Sequence, residues 1–151
     1  MKNYTLLLAL AICLGANAQL KFNTGNADFD KELVTTNDLA KKNLENFKND
    51  LLNQYKVPLS QINDILKRVS EPAEVQLVLE MNRITKQPVD RVLRSYDANK
   101  SKGWGAIAKD LGIKPGSKEF HEMKANMGKK EKHHDKKHDE KHKDHGSKKK
   151  K

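Results

Sequence analysis

The spacing of apolar residues in the middle of the chain constrains the fold most strongly. Between residues 36 and 127, apolar side chains recur at intervals of three and four, which places them on one face of a helix. Ala40, Leu44, Phe47, Leu51 and Tyr55 form one such stripe. No segment alternates polar and apolar residues for long enough to indicate a strand. The sequence therefore predicts an all-α fold, a small array or bundle of about five or six short helices.

Prolines divide this region into separate helices. Pro58 ends the first helix, because proline disfavours helical backbone at the preceding residue. Ser70 is placed to cap a helix that starts at Pro72, and Pro88 repeats the same kind of restart. The helix after Pro72 has the broadest apolar face, so we expect it to be the central one.

A short helix starting at Trp104 is expected to end in a glycine cap. Gly112 lacks a Cβ atom and suits a left-handed conformation there, with Ile113 folding back on the cap. Ser117 is placed to cap a last helix. We expect Trp104 to belong to the core, and His121 to be exposed or close to a helix cap.

The first 18 residues have the layout of a secretory signal peptide. A short basic start precedes an apolar run from Tyr4 to Gly15, and Ala16-Asn17-Ala18 supplies small residues before Gln19. The run has 12 residues, whereas a membrane-spanning helix needs about 20. Lipidation at Cys13 is the alternative, but Ile12 is larger than the residue that normally precedes a lipidated cysteine. We expect an exported protein, periplasmic or secreted, with no transmembrane helix in the mature chain.

The predicted domain organisation has four parts. Residues 1–18 form the signal peptide and residues 19–35 a flexible leader. Residues 36–127 form the helical domain, whose first helix Thr36 or Asn37 can cap. Residues 128–151 form a disordered tail rich in lysine and histidine.

The positive charge is concentrated in this tail. The whole chain has 30 Lys plus Arg against 20 Asp plus Glu, a net charge of +10. The tail contains 11 Lys and 5 acidic residues, a net of +6, and residues 19–127 have a net of +3. A chain of 151 residues with one cysteine excludes a large multidomain enzyme, a disulfide-stapled miniprotein and a polytopic membrane protein.

The tail also contains candidate metal ligands, the histidines His133, His134, His138, His142 and His145. From His134 their spacings are four, four and three, which would align them on one helical face. Imidazole groups suit Zn²⁺, Ni²⁺ and Cu²⁺. The surrounding lysines repel a divalent cation, so we expect several weak, interchangeable sites and no firmly held cofactor.

Two alternative functions remain open. The first is an envelope interaction module, in which the body binds an unknown protein and the basic tail attaches to an anionic surface. The second is a DNA-binding protein, because residues 107–113 are typical of the first helix and turn of a helix-turn-helix. The signal peptide opposes it, and so do Glu119 and Glu122, which would face phosphates. We expect no specific nucleic-acid binding and a corner that serves packing alone.

The segment from Gly103 to His121 resembles a block found in small, uncharacterised exported bacterial proteins of Bacteroidetes type. In this chain the block reads Gly-Trp-Gly-Ala-Ile-Ala-Lys-Asp-Leu-Gly, followed by Pro-Gly-Ser and a histidine. The resemblance implies a small helical exported domain and assigns no catalytic residue. The sequence also contains no paired carboxylates, nucleophile motif or phosphate-binding loop, so we expect no enzymatic activity.

Overall fold

A computed structural model describes residues 22–128, which form seven α-helices, one 3₁₀ turn and no strand. The helices are α1 (Ala27–Lys42), α2 (Leu44–Tyr55), α3 (Leu59–Leu66), α4 (Pro72–Thr85), α5 (Val89–Asn99), α6 (Trp104–Asp110) and α7 (Lys118–Met127), with the 3₁₀ turn at Lys100–Lys102. The all-α prediction is confirmed for this part of the chain, with seven helices where five or six were expected. The predicted signal peptide and residues 129–151 of the predicted tail lie outside the described residues.

The first helix begins well before the predicted start. Asn26 caps α1 through its side-chain oxygen, which accepts a hydrogen bond from the backbone N–H of Phe29. Phe29 and Leu33 are buried, and Phe22 is buried ahead of the helix. The prediction of a flexible leader is therefore wrong for residues 22–35. Polar residues between the few apolar ones concealed the helical period.

Asn43 separates α1 from α2 inside the stripe that the sequence suggested was one helix. Its backbone N–H donates to the carbonyl of Leu39, and its side-chain oxygen accepts from the N–H of Asn46. One residue thus ends α1 and caps α2. This break and the early start of α1 account for the larger number of helices.

The connections α2–α3 and α4–α5 have the same construction. Lys56 and Lys86 adopt left-handed conformations, with φ of 56° and 58°. Each is followed two residues later by a proline, Pro58 or Pro88, which precedes the next helix in extended conformation. The left-handed residue stops one helix and the proline starts the next, so both pairs form tight helical hairpins.

Helix α4 is the central element, as the sequence predicted. It packs against α1, α2, α3, α5 and α7, and its residues 75–81 are all buried. Its start differs from the prediction, since Glu71 and not Ser70 is the capping residue. The buried side-chain amide of Asn37, in α1, also accepts a hydrogen bond from the N–H of Ala73 in the first turn of α4.

The cap at the end of α6 follows the prediction. Gly112 has a φ of 90°, and the N–H of the buried Ile113 donates to the carbonyl of Ala108 at 2.8 Å. This hydrogen bond across six residues is the mark of a Schellman cap. Ser117 caps α7 by accepting from the N–H of Phe120. The chain therefore turns sharply between α6 and α7.

Candidate functional site

The predicted metal ligands, His133, His134, His138, His142 and His145, lie outside the described residues. Within residues 22–128 no group of three or more His, Cys, Asp or Glu side chains could hold a metal ion. The exposed position of His121 confirms its predicted place on the surface of α7.

Glycines at the start of α6 allow the first described segment of the chain to dock closely. The backbone N–H groups of Trp104 and Gly105 donate to the carbonyls of Phe22 and Asn23, both at 2.8 Å. A Cβ atom at Gly105 would lie 2.9 Å from the carbonyl oxygen of Thr24, closer than such atoms approach in real structures. The glycines flanking Trp104 therefore serve this backbone contact.

The Trp104 side chain is held inside the domain, as expected. Its indole Nε1–H donates to Glu74 Oε1 at 3.0 Å, and the Tyr96 hydroxyl donates to Glu74 Oε2 at 3.1 Å. The two rings lie with their centroids 5.4 Å apart. Burial, together with the negative charge of Glu74, raises the pKa of Tyr96. Trp104 is only 3% exposed, so this aromatic pair serves packing and offers little surface to a ligand.

Helix α7 is joined to the body by polar contacts as well as by its apolar face. Arg83 pairs with the buried Glu80 and with Glu122, both at 2.7 Å. Glu80 also accepts from the Asn126 side chain at 3.2 Å. The hydrogen bonds that Arg83 donates to Glu80 raise the pKa of its guanidinium, which stays charged. These contacts occupy one side of α7 and fix its orientation against α4.

The two ends of the described chain lie on the same part of the molecule. Phe22 pairs with Trp104 at the start of α6. Lys124 near the end of α7 donates to the side-chain oxygen of Asn26 at 3.2 Å. Both ends of the described chain therefore lie near the start of α1, whereas the corner between α6 and α7 is at the other end of each of these two helices.

This corner has a concentration of exposed cations. We define the basic corner as Lys102, Lys109, Lys114 and Lys118, which are exposed and form no ion pair with the described residues. They lie before α6, in its last turn, after it and at the start of α7, and α6 is seven residues long, or about 10 Å. They were not predicted as a group from the sequence, although all four lie off the apolar stripe, where exposed charge is expected.

Acidic side chains near the basic corner do little to neutralise it. Asp110 accepts a hydrogen bond from the Ser95 hydroxyl at 2.7 Å and one from Arg91 at 3.0 Å. The Ser95 hydrogen bond and the Arg91 contact lower the pKa of Asp110, so it is ionised but already engaged. Glu119 is exposed next to Lys118. The corner therefore has a net positive charge.

Comparisons with known proteins found no matching family model, no matching curated sequence and no matching solved structure. Within residues 22–128, none of the helices has both the length and the apolar character needed to cross a membrane.

Proposed function

We propose that this is an exported, non-enzymatic protein that attaches to an anionic surface of the cell envelope through the basic corner and the lysine-rich tail. The observation that carries the proposal is the set of four exposed lysines, Lys102, Lys109, Lys114 and Lys118, which form no ion pair within residues 22–128. The tail adds 11 further lysines.

The attraction of a lysine to an anionic surface depends on its distance from that surface. Each lysine near an anionic bilayer contributes on the order of 1 kcal/mol of attraction, and this attraction decays within a Debye length, about 8 Å at physiological salt. Cations therefore act together only when they reach the surface at once. Helix α7 has ten residues, or about 15 Å, between the basic corner and the start of the tail, so the tail can reach a surface that the corner contacts.

Vesicle binding tests the proposal. The mature chain, residues 19–151, is mixed with vesicles containing phosphatidylglycerol and with neutral phosphatidylcholine vesicles. We expect binding to the anionic vesicles alone, falling steeply between 50 and roughly 500 mM salt. Replacing the four corner lysines by glutamine is expected to weaken binding at least about tenfold.

A matched control has four exposed lysines replaced elsewhere, at Lys31, Lys42, Lys56 and Lys86. It loses the same net charge, so we expect a much smaller effect if position matters. Equal effects of the two quadruple variants, or binding that salt does not change, would refute the role of the corner. Tighter binding to duplex DNA than to anionic vesicles would favour the helix-turn-helix alternative.

The second candidate function is weak binding of Zn²⁺, Ni²⁺ or Cu²⁺ by the tail. The specific observation in its favour is the spacing of His134, His138, His142 and His145, with His133 beside them. Coordination needs neutral imidazole, so affinity should fall as the pH drops through about 6.5. Titration calorimetry compares the mature chain with a variant in which all five histidines are glutamine. Equal heats from the two proteins would exclude the site.

A further inference from the structure

A groove between α3 and α5 is a second surface feature, which the proposed function does not use. Its volume is about 390 Å³. Ile65 of α3 and Leu93 of α5 line it and are almost fully buried, so they form an apolar floor. Pro88 and Val89 extend this apolar surface at the start of α5. The occupant of such a groove must offer some apolar surface of its own.

Two carboxylates, of Asp64 and Asp90, lie at the rim of this groove. Asp90 is exposed and forms no ion pair with the described residues. Asp64 is paired only with Lys67, and both side chains are at least 70% exposed. An exposed pair of this kind contributes little, so another cation can replace Lys67 at little cost. The one cation lining the groove, Arg68, is already bound to Asp97 at 2.6 Å.

An apolar floor with a carboxylate rim suits lysine and histidine side chains. The methylene groups of lysine cover apolar surface while the ammonium group reaches an acid at the edge. Histidine presents a flat ring with polar nitrogens at its margin. Residues 129–151 are rich in such side chains, with 11 Lys and 5 His against 5 acidic residues. A second cationic protein is not required, since this chain itself contains a matching segment.

The tail is long enough to reach the groove. It has 23 residues after Gly128, which span up to about 75 Å when fully extended. A domain of this size has a radius of gyration of about 13 Å. Because the tail is covalently attached, its effective concentration at the groove is on the order of millimolar. Docking therefore needs only a weak intrinsic affinity.

We propose that the Lys- and His-rich tail of this chain docks in the α3–α5 groove, between Asp64 and Asp90, and that this intramolecular contact competes with binding of the tail to an anionic surface. The competition rests on the proposed function, whereas the docking itself does not. A docked tail exposes fewer cations, so the protein would bind strongly only where a dense anionic surface displaces the tail.

A spin label at the end of the tail tests the docking directly. Residues 19–151, the expected mature chain, contain no cysteine, since Cys13 precedes them. A nitroxide on Ser147→Cys would broaden nearby amide signals in a ¹H–¹⁵N spectrum. At 50 mM salt we expect selective broadening at residues 60–68 and 88–93, and its loss at about 500 mM salt, where charges are strongly screened.

Two double variants test whether the docking needs the two groove carboxylates or any two exposed carboxylates. Asp64→Asn with Asp90→Asn should remove the broadening, whereas Asp28→Asn with Asp38→Asn, at exposed positions of α1, should leave it in place. Broadening centred outside the groove, its absence at low salt, or its persistence in the groove variant would overturn the docking.

Vesicle binding by the groove variant tests the competition. We expect its affinity for phosphatidylglycerol vesicles to rise about two- to fivefold, because the tail is released. Groove broadening without vesicle binding would refute the proposed function and leave the docking standing. Vesicle binding without groove broadening would refute the docking alone. Groove broadening with unchanged vesicle affinity in the variant would refute the competition.

Discussion

Glu74 is the residue whose replacement tests the packing of this domain most sharply. Its carboxylate accepts four hydrogen bonds, from the Trp104 indole, the Tyr96 hydroxyl and the backbone N–H groups of Ser70 and Glu71. These contacts join the start of α4 to α5 and α6. The side chain is half-buried, and the Trp104 and Tyr96 side chains that donate to it are almost fully buried.

The Glu74→Gln variant keeps the shape of the side chain and replaces one oxygen by an NH₂ group. If the remaining oxygen takes the position of Oε2, the NH₂ group faces the Trp104 Nε1–H, and two donors oppose each other. A buried donor without an acceptor costs about 1–3 kcal/mol, and each hydrogen bond that loses its charged partner weakens by about 1 kcal/mol. The exposed Ser70 N–H can bind water instead. We expect a loss of about 2–4 kcal/mol, a large part of a typical domain stability of about 5–15 kcal/mol.

Urea unfolding monitored by tryptophan fluorescence measures this loss, since Trp104 is the one tryptophan of the chain. Circular dichroism at 222 nm, a standard helix wavelength, checks that the helices unfold in the same transition. As a control, Glu45→Gln removes an exposed carboxylate and should cost less than about 1 kcal/mol.

A double-mutant cycle with Tyr96→Phe locates the effect. Glu74→Gln and Tyr96→Phe should be non-additive by on the order of 1 kcal/mol, because Glu74→Gln weakens the hydrogen bond that Tyr96→Phe removes. A loss below about 1 kcal/mol for Glu74→Gln, or full additivity, would refute the idea that Glu74 links these helices.

Three further predictions concern single residues. Gly105→Ala should destabilise the domain by about 1–3 kcal/mol in urea unfolding, although alanine favours helix, because its Cβ would collide with the Thr24 carbonyl; unchanged stability would contradict the close approach. Ser117→Ala should lower the free energy of unfolding by about 1 kcal/mol, measured in urea, because α7 loses its capping hydrogen bond. Ser117→Asp should lower it less, because aspartate can also cap a helix. Burial opposes ionisation of Glu71, but hydrogen bonds from Lys41 and Asn37 outweigh it and lower the pKa of this carboxyl. Its contribution to stability is therefore present above the ordinary glutamate pKa and is lost as the pH falls through the lowered value, so Glu71→Gln should reduce the acid dependence of the free energy of unfolding.

The sequence predicted some helix ends well and others poorly, for a physical reason. The Gly112 cap and the Ser117 cap follow from local backbone preferences, and both were confirmed. The start of α1 was missed because its buried face is narrow. The central helix was recognised because its apolar residues surround most of its circumference.

The buried polar side chains show where local reasoning stops. The i,i+3 spacing of Glu80 and Arg83 allows their ion pair within α4, but nothing in the sequence marks Glu80 as fully buried, because its burial and its hydrogen bond from Asn126 depend on where other helices pack. Tyr55 is a similar case, since desolvation and the nearby Glu80 raise its pKa only once α2 lies against α4. The basic corner was missed for a related reason, because whether its exposed lysines find acidic partners within residues 22–128 depends on how α6 and α7 pack.

By itself the sequence determined that this chain is helical and where several of its helices end, because periodicity, proline and glycine act within a few residues of one another. It also concentrated the lysines and histidines in one terminal segment. The tertiary structure alone decided which charges are buried, which are paired and which are left exposed around α6. Those properties depend on contacts between residues far apart in the chain, such as Glu74 with Trp104 and Arg83 with Glu122.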